Sequence, residues 1–292
     1  MLHTLLCVDL GGTKALVAKV SGNQIQSKSY FDVDGAASKE QTNQFLCDII
    51  AQVIDDTCQG IVIGVPSMVV METGEVIETV NIPRWQNVPL KAQLSQVFNL
   101  PVLVHNDANC FAMGEFCQGD YSQETTLIGI CLGTGLGAGL VLNGALYTGK
   151  HAAAGEFGSF SYQNGIVEHF TSGQYFKRQG LNGKHIYQQA LDNDAQALQL
   201  FEQLGCHLAH AIAQIVLAYD PDVVVLGGSV AQSAPFFLPS VYRHLPDLVN
   251  PMVLASLDIR VSELGDDAPL YGSYALLSDY VEKQQLAEVK YG

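Results

Sequence analysis

An apolar strand that runs into a glycine turn, returns as a second strand and folds back through a tight turn into a third occurs twice in this 292-residue chain. The first copy has strands at 4–10, 14–20 and 24–31, turning at Gly11-Gly12 and at Ser21-Gly22-Asn23. The second has strands at Thr125 to Leu132, Ala138 to Leu142 and Ala145 to Tyr147, turning at Gly133 to Gly137 and at Asn143-Gly144. Apolar runs bounded by glycine and asparagine turns specify antiparallel hairpins. The recurrence restricts the chain to two domains built on one plan, expected to face each other across a cleft.

The remaining pattern completes that plan. Ser38, with Gln41 after it, opens a helix expected to reach about Thr57, with Phe45, Ile49, Ile50, Val53 and Ile54 on one face. Ile61 to Val65 is a short strand before Pro66, and 89–98 a helix entered through Pro89. Leu100 to Val104 is a strand that delivers Asn106 and Asp107 at its carboxyl end. Residues 107–118, 184–191, 194–219 and 268–283 read as helices, and Asp222 to Leu226 as a very apolar strand. The expected class is α/β, two domains with mixed sheets flanked by helices. Their expected extents are 1–115, completed by the C-terminal helix 268–292, and 116–267.

Charge and cysteines exclude some functions. With 14 basic against 29 acidic residues the net charge is −15, which repels nucleic-acid phosphates. The seven cysteines are scattered and form no C-x-x-C pair, so they read as reduced thiols of a cytoplasmic protein. Leu5 to Leu10 is interrupted by Asp9 and enters a turn at once, as a strand does and a signal peptide does not. No segment reads as a membrane span of about 20 apolar residues. Neither nucleic acid nor membrane is expected as a partner.

Asp107 lies in Val104-His105-Asn106-Asp107-Ala108-Asn109, between the turns Asp9-Leu10-Gly11-Gly12-Thr13-Lys14 and Leu132-Gly133-Thr134-Gly135-Leu136-Gly137. Glycines at strand-to-strand turns let backbone amides reach phosphate oxygens with no side chain between. Each turn alone reads first as an ordinary hairpin turn. A carboxylate between two of them, with a third turn at Gly227-Gly228-Ser229, is equipment for moving a phosphoryl group onto a hydroxyl. On that reading Gly11, Gly12, Thr13 and Lys14 meet ATP phosphates, as do Gly133, Thr134 and Gly135, while Gly227 and Gly228 offer bare backbone to the adenosine. Asp9 beside an anion calls for a cation between them, and Mg²⁺, which keeps waters and bridges phosphates through few carboxylates, meets that need. No turn matches G-x-x-x-x-G-K-[ST], and Gly133 to Gly137 runs into a strand, so P-loop and dinucleotide-binding readings are excluded. An Asn-Asp pair at a strand end is also a common helix N-cap, and both roles are open to Asp107.

These motifs resemble the ROK family (repressors, open reading frames, kinases) of the actin-like ATPase superfamily. The first turn resembles its phosphate motif, Asn106-Asp107 its catalytic pair, and Leu132 through Gly158, with Gly155-Glu156-Phe157-Gly158, its signature segment. The similarity covers nearly the whole chain. It implies actin-like (ribonuclease H-like) domains and ATP- and Mg²⁺-dependent phosphorylation of a hexose or hexose derivative, usually at the 6-hydroxyl. The types implied are glucokinase, N-acetylmannosamine kinase and β-glucoside kinase. Carried over by position, Asp107 is the implied base, and Gly64, Asn81, Asn106, Asp107, Glu156 and Glu168 the implied sugar contacts. A homodimer is implied as well. Many members hold a structural zinc through a histidine and three cysteines between the positions of Glu156 and Glu168. Here Ser159 stands at the histidine position and 160–167 contain no cysteine, so no zinc is expected. Repressor members carry a winged-helix domain ahead of the first turn, and none is expected here. The competing function is a sugar-sensing protein that keeps the fold without catalysis. A chaperone-like ATPase would need a long substrate-binding appendage.

Overall fold

The computed structural model describes residues 4–79 and 81–291, with side chains as far as Asp279. The chain runs β1 (Thr4–Leu10), β2 (Lys14–Ser21), β3 (Gln24–Asp32), α1 (Lys39–Val53), β4 (Cys58–Val65), β5 (Ser67–Val70), β6 (Glu75–Thr79), α2 (Leu90–Phe98), β7 (Val102–Asn106) and α3 (Asp107–Gln118). It continues with β8 (Leu127–Leu132), β9 (Leu136–Leu142), β10 (Ala145–Leu146), β11 (Ser161–Tyr162), β12 (Gly165–Ile166), α4 (Glu168–Thr171), α5 (Gly173–Lys177), α6 (Gly183–Leu191) and α7 (Ala195–Tyr219). It closes with β13 (Val223–Gly227), α8 (Ala234–His244), α9 (Pro251–Leu254), β14 (Asp258–Val261) and α10 (Ala268–Tyr291). Gly292, the last residue of the expected C-terminal helix, lies outside the described residues.

Contacts divide the chain into two units. One is Met1–Tyr121 with Thr148–Ala154 and Asp266–Gly292; the other is Ser122–Tyr147 with Gly155–Gly265. The first holds a five-stranded sheet in the order β3-β2-β1-β4-β7, the second one in the order β10-β9-β8-β13-β14. In each, the hairpin strands pair antiparallel and the last two strands join in parallel. The repeated sequence pattern is therefore a repeated topology, and the α/β class with mixed sheets is borne out.

Each sheet is buried by helices. In the first unit Leu6, Val8 and Leu10 of β1 and Ile61 and Ile63 of β4 pack with Leu46, Ile49 and Ile50 of α1 and Leu94 of α2. On the other face Leu5, Cys7, Val62 and Leu103 meet Leu270 and Leu277 of α10. Strands covered on both sides read as continuous apolar runs, which is why β1 and β4 show no alternation. In the second unit α7 supplies Phe201, Leu204, Leu208, Ile212 and Ile215 to the core. Contrary to the sequence expectation, α7 is long and apolar enough to cross a membrane, but that apolarity faces this core.

Three local features differ from the sequence reading. The α1 helix stops at Val53, short of Thr57, because the Asp55 carboxylate accepts the Thr57 amide at 3.1 Å and holds a turn there. Pro66 stops β4 as expected, but a hairpin outside the sequence reading follows it, β5 against β6, turning at Gly74 with φ of 65°. The expected boundary at 115/116 falls inside α3, which runs unbroken to Gln118, and the contact division comes after Tyr121. The same division places Thr148–Ala154 with the first unit.

Helices α3 and α10 touch backbone to backbone. A Cβ on Gly272 would collide with the Cys110 carbonyl oxygen, and one on Gly114 with that of Ala268. Gly272→Ala is expected to destabilise the protein by about 1–3 kcal/mol through overpacking. Urea unfolding checks this: the midpoint falls with the slope unchanged.

Candidate active site

In the first unit the register of three parallel strands sets the site. Asp9 of β1 pairs with Gly64 of β4, Gly64 with His105 of β7, and Val65 with Asn106. The strands end together, so Asp9 and the Asn106-Asp107 pair emerge at one edge. Gly64 leaves the space between them open. A Cβ there would stand 3.6 Å from the Asp107 Cα and 3.7 Å from Asp9 Oδ1.

Of the two candidates for the helix cap, Asn106 takes the role. Its Oδ1 accepts the Asn109 amide at 3.1 Å, while its Nδ2 donates to the Ser67 carbonyl at 3.3 Å. Asp107 is the first helical residue, with Oδ1 accepting the Ala108 amide at 2.8 Å. Asp107 therefore sits at the positive end of α3, a position that favours a carboxylate. His105 is buried, and desolvation pushes its imidazolium down to about 4. Its Nδ1 accepts the Asn106 amide at 3.0 Å, so it braces the backbone of the pair. Burial first, then the charges of Asp107 and Asp266, push the Asp9 carboxyl up to about 7.

The first glycine turn lies against Asn81, whose side chain covers Gly12 so closely that a Cβ on Gly12 would overlap it. The Gly11 amide donates to the Lys14 carbonyl at 2.8 Å and closes the turn. That leaves the amides of Gly12 and Thr13 at the tip, with Thr13 and Lys14 exposed.

In the second unit the glycine turn is strapped by α4 and α5. Its Gly133 amide donates to the Gly135 carbonyl at 3.0 Å. The Gly173 amide donates to the Gly133 carbonyl at 2.8 Å, and Ser172 Oγ to the Thr134 carbonyl at 3.1 Å. Glu168 completes the strap: Oε2 accepts the Leu136 amide at 3.0 Å and Oε1 accepts from Gln174 Nε2 at 2.8 Å. Two of the roughly four acceptor positions on that carboxylate are thus used within the protein. Glu156 is exposed at the start of a 3₁₀ turn, Phe157–Ser159. Partial desolvation and the Glu168 charge both raise its carboxyl above the usual range, so the two acids share one field.

The third turn follows β13, which lies beside β8. Gly228 takes a φ of 85°, with the space for a Cβ filled by the Leu132 backbone. Beside it opens a cavity of about 510 Å³. Its walls include Gly133, Thr134 and Gly173 from the strap region, Ser229 and Val230 after the turn, and Phe176, Lys177, Lys184 and Tyr187 from α5 and α6. Gly227 and Gly228 set the turn rather than the wall. The sequence reading did not find the two lysines or Tyr187. The available signal was two cations close to Gly173 and Gly183, in a chain with only 14 basic residues.

The frame is a duplicated α/β fold with acids at the strand ends of one unit and amide-bearing glycine turns in the other. A family model described as the ROK family matches residues 5–280, and the chain belongs to that family. It is 31% identical over 245 residues to a glucokinase of Halalkalibacterium halodurans, covering 73% of this chain and 74% of that one. It is 31% identical over 272 residues to an N-acetyl-D-glucosamine kinase of Shigella flexneri, covering 82% of this chain and 86% of that one. Among solved structures, a ROK family glucokinase from Streptomyces griseus in complex with glucose and AMPPNP superposes with a TM-score of 0.82. It is 26% identical, with 94% of this chain and 98% of that one covered.

Asp9 holds its proton more tightly folded than unfolded. Its contribution to stability is therefore fully present below its ordinary value of 3.8 and is lost as the pH climbs to about 7. Asp9→Asn carries no such loss. Its melting temperature is expected to overtake that of the wild type between pH 5 and 7, with a constant margin above pH 8, read by calorimetry without nucleotide.

Proposed function

We propose that this sugar kinase transfers the γ-phosphoryl group of ATP to the 6-hydroxyl of a hexose or hexose derivative. The observation that carries the reading is Asp107 at the joint of β7 and α3, with Asp9 beside it across Gly64. Asp107 accepts the proton of the sugar hydroxyl as the bond to phosphorus forms. Such a base contributes about 10²–10⁴-fold, and the remainder of phosphoryl transfer is positioning and charge neutralisation. Asn106, tied to Asn109 and Ser67, has an amide hydrogen and a lone pair left for a neighbouring hydroxyl. Asn81, Glu156 and Glu168 complete the recognition of ring hydroxyls, and Gly64 leaves room for the sugar.

ATP lies with its adenosine in the 510 Å³ cavity, its ring against Tyr187 and Phe176. The phosphates take the amides of Thr134 and Gly135, with Lys177 and Lys184 as counter-charges; Gly11, Gly12, Thr13 and Lys14 are the further phosphate contacts that the first glycine turn offers. Asp9 fits a divalent cation: Asp107 and Asp266 press negative charge on it, and a hydrated cation relieves that pressure. Mg²⁺ bound there through water would neutralise charge on the phosphates. The seven free thiols suit a cytoplasmic enzyme, and the family resemblance suits a homodimer.

The test is ADP release against a panel of glucose, mannose, fructose, N-acetylmannosamine, N-acetylglucosamine and cellobiose. Release with at least one is expected; release with none favours a sugar sensor. Asp107→Asn is expected to lose turnover by at least 10²-fold while calorimetry still detects sugar binding, and undiminished turnover removes the base assignment. Lys184→Ala is expected to raise the KM for ATP about threefold to tenfold with the KM for sugar unchanged, as loss of one partly exposed charge contact predicts.

A further inference from the structure

Glu156 and Glu168 are joined by a segment whose two ends are anchored by buried Phe157 and Val167 and whose middle is a short hairpin. Between them the chain folds into β11 and β12, which pair only as Ser161 with Ile166 and Tyr162 with Gly165. The Val167 amide adds one bond to the Phe160 carbonyl at 2.9 Å. A ladder of that length is not stable by itself. Its turn also contains Gln163 at a φ of 48°, a conformation disfavoured for a side chain of that kind. Yet the two ends of this segment must stay in register if two carboxylates are to grip one sugar.

One side chain leaves the hairpin and docks on α7. The Tyr162 ring lies 5.3 Å from Phe170 and 5.7 Å from His207, edge-on to both at 82°, and 5.6 Å from His210. Its hydroxyl pairs with His207 Nδ1 at 3.1 Å. His207 also lies 5.2 Å from Phe170 and 5.8 Å from Tyr175. His207 and His210 are one turn apart on α7, whose other face is the core of the unit. Phe170 follows Glu168 by two residues, and Tyr175 follows Gln174, the residue that holds Glu168 Oε1. The ring cluster therefore gathers the hairpin, α4 and α5 onto one rigid helix. Burial and His210 keep His207 below its usual value, so the pairing joins two neutral groups.

We propose that Tyr162 and His207 form a positioning pair that steadies the hairpin between Glu156 and Glu168, adding to the strap on Glu168, and so tunes the affinity for the sugar. The proposal rests on the reading of those two acids as sugar contacts. Neither ring touches the reacting atoms. The pair acts through the hairpin, in the way that supporting contacts preorganise a site.

The test compares kcat, the KM for sugar and the KM for ATP in wild type, Tyr162→Phe and Tyr162→Leu, using whichever panel sugar gives turnover. Tyr162→Phe keeps the ring and loses the hydroxyl; its sugar KM is expected to rise about threefold, within the range of one lost hydrogen bond. Tyr162→Leu loses the docking as well and is expected to raise the sugar KM at least tenfold. In both, kcat stays within about twofold and the KM for ATP is unchanged. Amide hydrogen exchange over 160–167 is expected to quicken in the same order. An unchanged sugar KM in Tyr162→Phe, or equal losses in kcat and both KM values, overturns the proposal. If Tyr162→Leu does not fold, Tyr162→Phe decides alone. A wild-type protein that turns over no sugar instead removes the kinase reading, so the two failures are told apart.

Discussion

The register of β1, β4 and β7 is the constraint on which the rest depends. Because these strands run in parallel and end together, residues far apart in sequence emerge at one edge: Asp9, Gly64 and the Asn106-Asp107 pair. A shift of one residue in any strand would turn its side chains to the opposite face. The apolar cover on both faces forbids such a shift, since Leu6, Val8 and Leu10 belong to one core and Leu5 and Cys7 to the other. Packing far from the chemistry thereby places two carboxylates close enough for one to raise the other's proton affinity.

The second unit uses the same sheet order for a different end. Where the first carries acids at the strand ends, the second carries amides, with a cavity beside them lined by two lysines. Its glycine turn is not free to move with solvent: Gly173, Ser172 and Glu168 hold it at three successive points. Glu168 serves two neighbourhoods, holding the turn through Leu136 and facing Glu156 by charge. A residue that reads from sequence as a sugar contact is in the structure also part of the support for the proposed phosphate site.

Much of this was legible in the chain. The hairpins, the apolar strands before the glycine turns and the capping box at Ser38 are local signals, and each formed where the pattern placed it. What was missed has separate causes. The β5–β6 hairpin follows a proline and carries only a short alternating pattern, so its existence depends on pairing with itself and on Asn106 tethering Ser67. The early end of α1 turns on a single Asp55 side chain that competes with the helix. Lys177, Lys184 and Tyr187 carry no motif. They became candidates only when α5 and α6 were seen to wall the cavity beside Gly133.

By itself the sequence determined the duplicated plan and the kinds of group available, because strand, turn and cap preferences act between residues close together in the chain. It also determined that an acid would stand at the end of an apolar strand between two glycine turns. Only the tertiary structure decided which of Asn106 and Asp107 caps the helix, which amides close their own turns, and which lysines face the cavity. The cap and the turn closures are bonds between residues two or three apart whose choice the local pattern left open, while the tether of Asn106 to Ser67 and the walls of the cavity join segments tens of residues apart. Such contacts are selected by close packing and by the need to satisfy every buried polar group, and no local pattern encodes them.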